Sequence, residues 1–148
     1  MKTTELLNHL IETLKDGHAG FRDAAENVDS PDLQHLFRQY SLQRSGFASE
    51  LQAVAESLGE PEPEESGTVA GALHRGWINL KAAFASNDAH AVLTECERGE
   101  DHAVAQFEKA LAEPALPPRA EAVIRSQYLR ICEAHYRIRA LRDSLVTP

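Results

Sequence analysis

The stretch Glu95-Cys-Glu-Arg-Gly-Glu-Asp101 sets acids where a core-facing helix is expected to be apolar. Around it Leu93, Cys96, Ala103, Phe107 and Ala110 recur at three- and four-residue spacing, the pattern of one buried helical stripe. Glu100 falls inside that stripe. A carboxylate on an inward face has to meet a cation, a metal or a hydrogen-bond donor, because an unpaired buried charge costs several kcal/mol. What Glu100 meets is therefore the functional question.

Working outward, the chain has the length of one domain, residues 1–148, and 43% hydrophobic residues suffice for a single core. Its prolines and glycines lie mostly at segment ends and leave long helical stretches between them. The pattern predicts an all-α fold, a four-helix bundle with helices over 3–27, 31–58, 89–112 and 118–145. Thr3 or Thr4 is the expected first cap, and Ser30-Pro31 and Ser86-Asn-Asp88 mark later starts. The acidic linker from Glu60 to Gly67 leads into a shorter helix over 68–85, with Val69, Leu73, Trp77, Leu80 and Phe84 inward. At 1.5 Å per residue that helix covers roughly 25 Å, and with the linker it makes the long crossover of the bundle.

The formal net charge of −8, with no basic run and few aromatics, makes nucleic acid and anionic membrane surfaces poor partners. The N-terminal segment reads as neither a signal peptide nor a membrane span, so a cytoplasmic location is expected. Cys96 and Cys132 are isolated and read as small core residues rather than a disulfide framework.

Each long helix carries a polar residue near its middle: His18, then Gln43 or Arg44, then Glu100 with its neighbour Glu97, then His135. Packed side by side, such residues share one cross-section. Two readings follow. In the first, His18, His135 and one or both of Glu97 and Glu100 supply a first shell for a single iron, manganese or zinc ion. In the second, Gln43 and Arg44 join a metal-free hydrogen-bonded network that fixes helix register, since a guanidinium competes for Glu100 and repels a cation. No phosphate loop, nucleophile elbow or paired Cys-x-x-Cys is present, and no catalytic residue is nominated. Asp16, by phase, faces solvent, as do Asp101, His102 and Glu108. Gly17 and Gly20, each about 1 kcal/mol worse than alanine within a helix, point to close approach by a neighbouring helix.

The stretches Asp16-Gly-His-Ala-Gly-Phe21, Ser66-Gly-Thr-Val-Ala-Gly-Ala-Leu-His-Arg-Gly-Trp77, Glu95-Cys-Glu-Arg-Gly-Glu-Asp101 and Ala134-His-Tyr-Arg-Ile-Arg-Ala-Leu-Arg-Asp143 resemble an uncharacterised bacterial four-helix-bundle family, of unknown function, among the ferritin-like proteins. The resemblance implies an architecture and an association with stress response, not a reaction. Ferritin-like di-metal sites use a glutamate on two helices and Glu-x-x-His on two others. Here His135 fits a histidine slot with Cys132 in the glutamate slot before it, and Gln43-Arg-Ser-Gly46 replaces the other pair. The expectation is a non-catalytic binding or stress-associated bundle with a mainly structural polar centre and no cofactor. The alternative is a metal-binding redox protein with a reduced ligand set. A homodimer, with the crossover helix as its contact face, is the association considered.

Overall fold

The computed structural model describes residues 2–59, 76–77, 79–86 and 88–145. These form five helices and no strand: α1 (Thr3–Asn27), α2 (Pro31–Ser57), α3 (Leu80–Ala85), α4 (Ala89–Leu111) and α5 (Pro118–Ser144). The four long helices start where the sequence reading placed them and end one residue sooner or at the same residue. Local chemistry explains the starts. Ser30 accepts a hydrogen bond from the Leu33 amide at 3.3 Å, with Pro31 opening the helix. Asp88 accepts from the His90 amide at 2.9 Å. The first cap differs from expectation: Lys2 occupies it, with no side-chain hydrogen bond.

The long helices pack as a ring in which α1 lies against α2 and α4, and α5 lies against α4 and α2. Cross-helix pairs give their directions. His18 meets Ser41, Asp101 meets His135, and Phe47 meets Gln127. Leu6 and His9 line a crevice with Lys109 and Glu113, while Gly20 and Gly99 flank one indole. Neighbours in the ring thus run antiparallel, and α2 and α4 run the same way. The connection from Leu58 to Asp88 therefore returns the chain from one end of the ring to the other.

Two apolar clusters fill the interior. One contains Leu7, Leu10, Leu14, Leu51, Phe107 and Ile124; the other contains Phe21, Phe37, Trp77, Leu93, Cys96 and Ile138. Each fully buried Leu, Ile or Phe contributes about 1.5–3 kcal/mol. On every long helix the break between clusters falls at the polar mid-helix residues, so those residues do share one level.

The crossover departs from the expected helix over 68–85. Residues 68–75 lie outside the described residues, and the helical part described is only Leu80–Ala85. Gly76 has φ +104°, a left-handed conformation that interrupts an α-helix and favours glycine. Trp77 follows outside any helix, yet is buried as expected, at 2% exposed. Its indole lies between Gly20 of α1 and Gly99 of α4: a Cβ at Gly20 would stand 2.5 Å from the ring, and one at Gly99 would overlap it. Gly20 thus has a close neighbour, but it is the indole of the crossover and not the neighbouring helix expected. Gly17 is less crowded, since a Cβ there would make ordinary contact with Arg44 at 3.4 Å.

Asp16 corrects another expectation. It is 1% exposed rather than solvent-facing, because α1 is covered by α2, α4 and α3 together and buries more than one stripe. Asp101 and Glu108 are exposed as expected, although each bonds to α5.

Overpacking of the indole slot should be measurable. Gly99→Ala is expected to destabilise the chain by about 1–3 kcal/mol in chemical denaturation. Emission from Trp77, the one tryptophan in the sequence, should shift to the red. A change within about 0.5 kcal/mol and an unchanged spectrum would place the indole elsewhere.

Candidate functional site

Arg44 and Glu100 meet in the middle of the ring. NH1 and NH2 of the guanidinium donate to Oε1 and Oε2 of the carboxylate at 2.5 and 2.7 Å, a bidentate pair. The side chains are 1% and 0% exposed. Nε of Arg44 donates to Oε1 of Gln43 at 3.1 Å, so Gln43 and Arg44 act together. The guanidinium carbon also lies 5.4 Å from the centroid of the Phe21 ring. Phe21 in turn meets Trp77 edge-on at 5.0 Å and Tyr40 at 5.3 Å. The cation therefore has a carboxylate, an amide oxygen and an aromatic face, which together offset its desolvation.

The histidines of the same level turn elsewhere. The Ser41 hydroxyl donates to the His18 carbonyl at 2.8 Å, which commits its proton. Nδ1–H of His18 then donates to the Ser41 carbonyl at 3.0 Å and to its Oγ at 2.9 Å, a tautomer set by the network. His18 is thus bound to α2 and not to Glu100. His135 is 9% exposed and places Nε2 2.5 Å from Oδ1 of Asp101, on the α4–α5 seam.

Glu97 is also drawn to that seam. It accepts from Nε of Arg139 at 2.9 Å and from NH1 of Arg142. Further along, the Tyr128 hydroxyl donates to Oε2 of Glu108 at 2.6 Å. The carboxylate beside it pushes the Tyr128 phenol above its ordinary value. The three rungs follow from the antiparallel register, as residues 97, 101 and 108 of α4 descend while 139, 135 and 128 of α5 ascend. The expected set His18, Glu97, Glu100 and His135 is therefore level but not convergent. Among the described residues no three His, Cys, Asp or Glu side chains are grouped to hold a metal ion. As placed, these four residues do not fit a single ion: the two carboxylates face three guanidinium groups, and the two imidazoles face different helices.

Buried polar residues not assigned to the polar level from sequence include Gln127 and Glu95. Gln127, 1% exposed, donates from Nε2 to the Phe47 carbonyl at 3.1 Å and to Oε1 of Glu50 at 2.7 Å, joining α5 to α2. Its place among Ile124, Tyr128 and Ile131 was the available signal. Glu95, 8% exposed, has Oε1 3.6 Å from NH1 of Arg98. It shares a face with Gly99, and that mid-helix glycine marked the approach of Trp77. Burial, then Glu100 and Glu95, push the Cys96 thiol well above its ordinary value, so this thiol is not activated. Both cysteines are free.

A model of a family described as a domain of unknown function, DUF2383, matches residues 2–113, which run from α1 through the end of α4. No curated protein matches the chain.

Two outcomes test this geometry. Arg44→Ala, which strands Glu100 in the interior, should cost about 3–5 kcal/mol in denaturant unfolding. Replacing Arg44 and Glu100 together with Met and Leu should recover most of that loss. In native protein at mildly alkaline pH, an alkylating reagent should label Cys132 and leave Cys96 unmodified until denaturant is added, as peptide mapping would record.

Proposed function

The chain belongs to the DUF2383 family, a domain of unknown function, and on that premise we propose that it is a ferritin-like four-helix bundle with a structural polar centre, serving as a non-catalytic binding or stress-associated protein of the bacterial cytoplasm. The ferritin-like reading rests on the order of helix directions. Two antiparallel helices, a return along the ring and two more antiparallel helices match that topology, with polar residues at half height. The stress association rests on the family resemblance alone.

One observation carries the structural reading of the centre: the bidentate Arg44–Glu100 pair, buried on both sides. A guanidinium occupies the interior position in which a ferritin-like metal would need its ligands, and it satisfies the carboxylate that such a metal would use. Gln43-Arg-Ser-Gly46 offers neither ligand of a Glu-x-x-His pair, and the residue three before His135 is Cys132. Among the described residues no helix is long and apolar enough to cross a membrane.

Elemental analysis of protein purified without a histidine tag tests the reading. The expected result is substoichiometric iron, manganese and zinc, unchanged in His135→Ala. Stoichiometric metal that disappears in His135→Ala would establish the metal-binding redox reading instead.

A further inference from the structure

We propose that the outward face of α2 is a self-association surface, on which a second copy of this chain packs antiparallel and forms a dissociable homodimer. Leu42 is 70% exposed, the highest of the exposed large apolar side chains among the described residues. Its neighbours on that face, Gly46, Ser49 and Ala53, follow at four-, three- and four-residue steps and are exposed. A Cβ at Gly46 would have nothing within 4 Å. Among the described residues no packing inside the protomer therefore accounts for a glycine in the middle of a 27-residue helix.

The charges on this face identify the occupant. Arg38 lies one turn before Leu42 and Glu56 lies one turn after Ala53, on the same edge of the helix at 100° per residue. Both are exposed, and among the described residues neither makes an ion pair. A twofold axis crossing α2 between Gly46 and Ser49 brings Leu42 of one copy over Ala53 of the other. It sets Gly46 against Ser49 and Arg38 beside Glu56, each contact occurring twice. A large side chain meets a small one, and a cation meets an anion, only when the two helices run in opposite directions.

A groove continues the surface. A cavity of about 290 Å³ between α1 and α2 is lined by His18, Arg22, Glu26, Arg38, Ser41 and Leu42. It opens on the Arg38 edge, where the Glu56 carboxylate of the second copy would arrive. Its two arginines outnumber its one glutamate, so it favours an incoming acid despite the chain's net charge of −8. The contact runs from 38 to 56, about five turns, which is small for an interface and makes the dimer concentration-dependent. The surface is independent of the buried centre, so the metal analysis and the association measurement can fail separately.

Sedimentation velocity of the full chain over a concentration series tests the proposal, with circular dichroism to show that each variant is folded. The wild type should pass from monomer to dimer as concentration rises. Leu42→Lys should remain monomeric, and Arg38→Glu or Glu56→Arg alone should weaken association at least tenfold. The double variant Arg38→Glu/Glu56→Arg should regain most of it, a rescue that general loss of surface quality would not give. A wild type that stays monomeric throughout, or a dimer indifferent to Leu42→Lys, would overturn the proposal.

Discussion

Among the ion pairs of the described residues, the arginine–glutamate pair at the centre is the one buried on both sides, and it constrains how the helices sit. Arg44 belongs to α2 and Glu100 to α4, helices that stand at opposite corners of the ring and do not pack side by side. The pair crosses the interior, which only a side chain of arginine's length and forked geometry can do while satisfying both carboxylate oxygens. Burial makes the arrangement unforgiving. Either charge left alone would face several kcal/mol of desolvation, so both helices must hold their axial position.

The rest of the mid-level chemistry is arranged so as not to compete for that pair. His18 is occupied by Ser41 of the adjacent α2, and His135 by Asp101 of the adjacent α4. Glu97 is taken by two arginines of α5. His18, His135 and Glu97 are thus each tied to a neighbour in the ring, and it is Arg44 that meets Glu100 at the centre. Phe21 links the pair to the second structural device, since its ring lies beneath the guanidinium and beside Trp77. Trp77 in turn spans α1 and α4 through two glycines, and so ties the crossover to the same level.

The four long helices were legible because their apolar residues recur at one clear period, with proline, serine or aspartate at most boundaries. The shared level of His18, Arg44, Glu100 and His135 was legible too, from their mid-helix positions. Direction was not. Asp16 illustrates the reason: a phase calculation assumes one buried face, and α1 has neighbours on several sides. The crossover illustrates another. Trp77 satisfied a helical stripe, but it follows the left-handed Gly76 outside any helix, with its indole in the glycine slot.

By itself, then, the sequence determined that the chain is helical, where its long helices begin and end, and that a buried carboxylate needs a partner. These follow from periodicity, capping and the cost of burying charge, all of which act within a few residues. Only the tertiary structure decided that the partner is Arg44 and that the two imidazoles turn to other helices. Those outcomes depend on which helices are neighbours and which lie diagonally opposed, and that is settled by packing between segments as far apart as residues 44 and 100.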